Sequence, residues 1–199
     1  MNRPPPAGLL LAAGRSTRMG RPKALLRWRG RTLLEHALST LGALADPVVA
    51  VVPPGPGLTR ELAARAGARL ADGVPDGEMV DSLRAGLAAL PAGRPVLVAT
   101  IDQVLIPSVW LGWLARLAAD HPETCWIPLC DGAGGHPVAL SPALATALRD
   151  GAPAPDGLRG LLRAAPKLGM LETHDPACRR DLDTPAQWRA FVRATRRDA

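Results

Sequence analysis

The chain has 199 residues, 47% of them hydrophobic, and a formal charge of +6. That length suits one domain over 1–199 with a sheet covered on both faces, and it would leave each of two domains short of core. The positive balance favours anionic partners, and five Trp, one Phe and no Tyr are too few aromatics for a base-stacking platform, so nucleotides are expected and nucleic acid is not.

Leu9 to Ala13 is an apolar run predicted as a buried strand, and it empties into a glycine-punctuated basic loop ending at Lys23. Arg15, Arg18, Arg21 and Lys23 place four cations in nine residues. The small residues Ala12, Ala13, Gly14 and Ser16 let backbone N–H groups approach an anion, so the loop reads as a polyphosphate cradle; a basic surface loop is the plainer alternative. Gly14 and Gly20 are separated by five residues with no Gly-Lys-Ser/Thr after them, which excludes a P-loop, and no Gly-x-Gly-x-x-Gly follows the strand.

Thr32-Leu33-Leu34-Glu35 is a capping-box pattern opening a helix with Leu34, Leu38 and Leu41 on one face. Val48 to Val52 is a β-branched strand ended by Pro53-Pro54-Gly55. Leu58 to Ala66 reads as a helix, Ala68 to Ala71 as a strand and Asp72 to Gly77 as a turn-rich loop. Glu78 to Leu90 is an amphipathic helix whose core face is read as Met79, Leu83, Leu87 and Leu90. Pro95 to Ile101 is a continuous apolar strand of the parallel-sheet kind, with Asp102 at its carboxyl end.

Pro107 starts a helix to about Ala119, Thr124 to Leu129 and His136 to Leu140 are further strands, and Ser141-Pro142 opens another helix. Residues 150 to 157, rich in Gly, Pro, Ala and Asp, read as a loop. Thr184-Pro185-Ala186-Gln187 caps a last helix, and an extended Asp181-Leu182-Asp183 before it sends both carboxylates one way and Leu182 to the core. Arg189, Arg193, Arg196 and Arg197 fall on a solvated face of that helix. The alternation predicts a doubly wound α/β three-layer sandwich with a mostly parallel central sheet. Its ligand crevice lies at the carboxyl ends of the strands, where the basic loop and Asp102 both fall.

Cys125, Cys130 and Cys178 are odd in number and lack metal-ligand spacing, and each reads as a small buried hydrophobe. With no N-terminal signal segment and no twenty-residue apolar run, a reducing cytoplasm and no membrane partner are expected.

Leu11-Ala12-Ala13-Gly14-x-Ser16-x-Arg18-Met19-Gly20-x-x-Lys23 resembles, at every fixed position, the signature of the MobA-like nucleotidyltransferases. Ser82 to Leu87 is similar to the family segment beside the nucleotide, and Asp102-Gln103 to its metal-binding strand end. Gly135-His136-Pro137-Val138 and Asp181-Leu182-Asp183-Thr184-Pro185 are similar to motifs of the MocA branch. The sequence departs from the family at Val104, where a proline usually follows Asp-Gln, and between Pro142 and Ala165, where the branch's glycine-and-aspartate-rich stretch is reduced to Asp150-Gly151 and Asp156-Gly157.

The resemblance implies a Rossmann-like nucleotidyltransferase fold and transfer of CMP from CTP to the phosphate of a molybdopterin-type acceptor, with a molybdoenzyme as a further client. It implies that Leu11, Ala12, Ala13, Gly14, Arg15 and Ser82 bind the nucleotide and that Arg18 and Lys23 hold its phosphates. Asp102, counted with them as catalytic, would share Mg²⁺ with Asp183, and His136 and Asp181 would contact the acceptor. On residue type alone Asp102 also suits a helix-leading cap, Asp183 a cap of the last helix, His136 a turn and Ser82 a helix face. A sugar phosphate as acceptor, or a non-catalytic cofactor carrier, are the competing functions.

Overall fold

A computed structural model describes residues 4–103 and 107–195. Val104, Arg196 and Arg197 lie outside the described residues. In chain order the elements begin with β1 (Ala7–Leu11), β2 (Arg27–Trp28), β3 (Arg31–Thr32), α1 (Leu33–Gly42), β4 (Val48–Val52), α2 (Leu58–Arg65) and β5 (Arg69–Asp72). Then come α3 (Met79–Ala88), β6 (Val96–Thr100), α4 (Ser108–Asp120), β7 (Cys125–Cys130), β8 (Ala133–Gly134) and β9 (Val138–Leu140). The chain finishes with α5 (Pro142–Arg149), α6 (Gly157–Arg163), β10 (Leu168–Glu172) and α7 (Pro185–Thr195).

The main sheet runs β10-β7-β9-β6-β1-β4-β5, with β8 added to β7. Its left and right parts are parallel pairs, β1 with both β4 and β6, β4 with β5, and β7 with β10. The short β9 alone in this path runs against its neighbours β6 and β7. This is the expected three-layer sandwich. Strand alternation divides the core in two: Leu10, Ala50, Val52 and Leu97 face α1, α4 and α7, whereas Leu9, Val49, Val51 and Val98 face α3, α5 and α6.

Two glycines let helices seat directly on β1. A Cβ on Gly8 would lie 2.9 Å from Leu41 Cγ of α1, and one on Gly86 of α3 would lie 2.4 Å from Leu9 Cδ1. Helix starts follow the capping signals. The Thr32 hydroxyl accepts from Glu35 N, and the Glu35 carboxylate accepts from Thr32 N in return. Ser141 Oγ accepts from Leu144 N at the start of α5, and Gln187 Oε1 accepts from Thr184 N at the start of α7.

Three sequence expectations change. Met79 is not on the core face of α3: it is 46% exposed, and Val80, 4% exposed, packs inward with Leu83, Leu87 and Leu90. Positions 79 and 80 lie four and three residues before Leu83, so spacing fits either, and the helix entry decides. The first strand is Ala7–Leu11 rather than Leu9 to Ala13, with Ala12 N still donating to Val51 O. After residue 157 the chain forms α6 and then β10, neither of which periodicity reveals. No helix among the described residues is long and apolar enough to cross a membrane.

Candidate active site

The loop after β1 is built to fix Lys23. Ser16 takes a left-handed conformation (φ 53°) and its hydroxyl accepts from Lys23 N at 3.1 Å, closing the loop on itself. Met19, Ala24 and Leu26 anchor it in the core. Lys23 is consequently 8% exposed, its stem in the protein and its ammonium at the carboxyl edge of the sheet. Gly14 is exposed, with nothing within 4 Å of where a Cβ would stand, so a ligand can approach its backbone.

Lys23 Nζ joins two carboxylates from distant parts of the chain. It lies 3.2 Å from Asp102 Oδ2, just beyond β6, and donates to Asp183 Oδ1, just before α7. Arg18 Nη2 lies 2.7 Å from Asp183 Oδ2. Thus Arg18, Lys23, Asp102 and Asp183 form one cluster. Burial works to raise the pKa of Asp102, but the Thr100 hydroxyl and the charge and hydrogen bond of Lys23 outweigh it, holding the carboxyl below its ordinary value.

Asp102 and Asp183 are oxygen donors on one site, the chemistry that a hard divalent ion requires. Among the described residues no group of three or more His, Cys, Asp or Glu forms a metal cage. Two carboxylates completed by phosphate oxygens and water are what Mg²⁺ commonly takes, so the residues present fit that ion.

Leu11, Ala12 and Ala13 are buried beside this cluster at the end of β1. Gly73 packs so tightly on Ala13 that an added Cβ would be 2.1 Å from the Ala13 Cβ. Ser82 faces the same place, but its hydroxyl is engaged, accepting from Val74 N at 3.0 Å. Ser82 therefore holds the 73–77 loop. Arg15 reaches the same loop and pairs with Asp76, away from the Lys23 cluster.

A cavity of about 800 Å³ adjoins the cluster at Asp102. His136 and Asp181 both line it, as does Gln103, whose amide N donates to Asp181 Oδ1. Burial lowers the His136 pKa; Asp102 and Asp181 pull it up, Arg159 pushes it down, and the net direction is downward, favouring neutral imidazole. Sequence reasoning missed Arg159, Arg163 and Arg179 on this cavity. Their one signal is the i, i+4 spacing of Arg159 and Arg163, visible only once α6 is known.

The three cysteines are free and buried. Burial and the neighbouring Cys130 push the Cys178 thiol up to about 11, so it is no nucleophile near neutral pH.

Comparison with known proteins shows the family and the fold. The family model described as MobA-like NTP transferase domain matches residues 8–170. Nicotine blue oxidoreductase of Paenarthrobacter nicotinovorans is 31% identical over 196 residues, covering 90% of this chain and 93% of the relative. The 2-C-methyl-D-erythritol 4-phosphate cytidylyltransferase of Corynebacterium efficiens is 36% identical over 60% of this chain and 54% of its own length. A probable molybdenum cofactor guanylyltransferase of Opitutus terrae is 35% identical over 55% of this chain and 54% of its own. The chain thus spans about half the length of these two nucleotidyltransferases.

Among solved structures, Rv0371c of Mycobacterium tuberculosis has a TM-score of 0.80 at 24% identity, covering 95% of this chain and 98% of that one. Its complex with manganese gives 0.72 at 22% identity, covering 94% and 98%. A nucleotidyl transferase from Methanothermobacter gives 0.78 at 24% identity over the whole of both chains. These structures show a shared fold. With the family model matched from Gly8 to Met170, the chain belongs to the MobA-like NTP transferase domain family.

Proposed function

We propose that this protein transfers a nucleoside monophosphate from a nucleoside triphosphate, CTP by preference, to the phosphate of a molybdopterin-type acceptor. The observation that carries the reading is Lys23 Nζ engaged with both Asp102 and Asp183, two acidic groups and a cation at the mouth of a glycine loop. A carrier needs no such arrangement. An acceptor phosphate oxygen attacks the α-phosphorus, the bond from that phosphorus to the β-phosphate oxygen breaks, and pyrophosphate leaves.

Arg18 and Lys23 hold the triphosphate, and the backbone of Leu11 to Gly14 contacts it, with Arg15 at the rim. Asp102 and Asp183 would hold Mg²⁺, which when bound supplies neutralisation of phosphate charge. The 73–77 loop, fixed by Ser82, borders the base or ribose, and His136 and Asp181 contact the acceptor. Because phosphoryl-type transfer asks for positioning and electrostatics more than covalent work, charged groups arranged in this way supply what the chemistry asks for. Three free thiols suit a reducing cytoplasm, where a molybdoenzyme client would receive the product.

Measuring pyrophosphate release with CTP, GTP, ATP and UTP, with and without molybdopterin, tests the reading. Release that needs molybdopterin and is fastest with CTP supports it; equal rates with all four nucleotides contradict the base preference, and release with a sugar phosphate instead reassigns the acceptor. One observation favours a redox reading, namely that nicotine blue oxidoreductase is matched over 90% of this chain, more than either nucleotidyltransferase relative. Turnover of nicotine blue with no pyrophosphate from any nucleotide would decide for it.

A further inference from the structure

The cavity beside Asp102 carries more positive charge than the reading above uses. Arg159 and Arg163 stand one turn apart on α6, Arg179 comes from the segment before α7, and all three line the same space. Neither the Arg159 nor the Arg163 guanidinium has an ion-pair or hydrogen-bond partner among the described residues, and that of Arg179 donates to the Cys130 carbonyl at 3.5 Å. The two carboxylates that share the cavity are already engaged, Asp102 with Lys23 and Asp181 with the Gln103 amide. Guanidinium groups left without a carboxylate beside a concave site are the standard chemical answer to a phosphate.

Two buried polar atoms at the cavity also lack a partner. Gln103 Oε1 and His136 Nδ1 are both inaccessible to solvent and unbonded. The Gln103 amide N must face the Asp181 carboxylate, so the orphan is an acceptor. Unsatisfied buried atoms are costly, which marks this wall of the cavity as one kept for function rather than for stability. The rest of the lining fits a ring: Gly132 to Gly135 bring backbone with almost no side chain, and Ile127, Leu158 and Leu162 are aliphatic. At about 800 Å³ the space lies in the upper part of the roughly 300–1,000 Å³ range of small-molecule sites, too large for a bare phosphate.

We infer that this cavity selects its acceptor through Arg159, Arg163 and Arg179, which hold the phosphate monoester of a ring-bearing molecule. The inference rests on the nucleotidyltransferase reading for the word acceptor, and its residues differ from those that hold the nucleotide.

The test uses the full chain and three probes in isothermal titration: pyridoxine 5′-phosphate, pyridoxine and inorganic phosphate, each with and without α,β-methylene-CTP and Mg²⁺. Pyridoxine 5′-phosphate is expected to bind at least about tenfold more tightly than either other probe, and the nucleotide analogue is expected not to displace it. An Arg159→Ala/Arg163→Ala variant is expected to weaken that binding at least about tenfold and to leave the affinity for the analogue unchanged. Both side chains are exposed on a helix that favours alanine, so the variant is expected to fold. Absence of binding by the phosphorylated probe, equal binding of all three, an unaltered double variant, or displacement by the analogue would each overturn the inference. Failure of the analogue itself to bind would instead strike the nucleotidyltransferase reading, so the two failures are distinguishable.

Discussion

The Leu182 backbone N–H donates to the carbonyl of Asp102 at 3.2 Å. This one bond ties the end of β6 to the extended segment before α7, with Leu182, 3% exposed, pinned in the core. Asp183, the next residue, is thereby brought to the ammonium that Asp102 already meets. Topology delivers Lys23 and Asp102 to one sheet edge; this bond delivers the third member.

Lys23 is a counter-charge between two carboxylates, so replacing it should change metal affinity as well as rate. In Lys23→Met the carboxylates of Asp102 and Asp183 lose the cation they share, with only Arg18 left on Asp183, and a divalent ion is the natural replacement. Mn²⁺ binding without nucleotide, followed by electron paramagnetic resonance, is expected to tighten by about tenfold or more, while pyrophosphate release falls at least about a hundredfold. Unchanged Mn²⁺ affinity would show that the lysine does not stand in for the metal.

Gly73→Ala addresses the nucleotide side. The added methyl would meet the Ala13 Cβ at 2.1 Å and Val51 Cγ1 at 3.0 Å, so the 73–77 loop must move off the end of β1. A loss of about 1–3 kcal/mol in denaturant stability is expected, together with a raised KM for the nucleotide. A variant that loses stability with KM unaltered would mean that this loop does not border the nucleotide.

Glu35 gives the fold a pH signature. The hydroxyl and backbone N–H of Thr32 hold its carboxyl below the ordinary value of 4.5, against a smaller opposing effect of burial and with help from Arg31 and Arg27. The folded state therefore favours the ionised form. Its contribution is fully present above about pH 4.5 and is lost as pH falls through the lowered folded value. Urea unfolding of wild type and Glu35→Gln should show a stability gap at pH 6 that closes toward pH 3; a gap that stays constant over this range would assign the effect to packing alone.

What the sequence makes legible follows the strength of each local signal. The capping residues Thr32, Ser141 and Thr184, the β-branched run Val48–Val52 and the strand before Asp102 combine propensity with clear punctuation, and they form where expected. β10, Leu-Gly-Met-Leu-Glu, has no β-branched residue and a glycine at its second position, yet pairs with β7 along its whole length. There Gly169 sits under Trp126, where a Cβ would be 2.4 Å from the ring, so a tertiary contact sets the strand rather than its own preference. α6 is hidden by Gly157 and Gly160, and with it Arg159 and Arg163. Arg18, Lys23, Asp102 and Asp183 are legible individually, by charge and motif. The alternation of strands and helices puts the basic loop and Asp102 at one sheet edge, but that Asp102 and Asp183 both meet the Lys23 ammonium, with Arg18 on Asp183, depends on long-range folding that no local pattern encodes.

Pyrophosphate release by Asp102→Ala set against wild type, each with Mg²⁺, CTP and molybdopterin, tests the central claim most directly. The account predicts turnover in wild type and a fall of at least about a hundredfold in the variant, with thermal unfolding showing both folded. Equal turnover in the two proteins, or nucleotide binding without turnover in either with any of the four triphosphates, would contradict it.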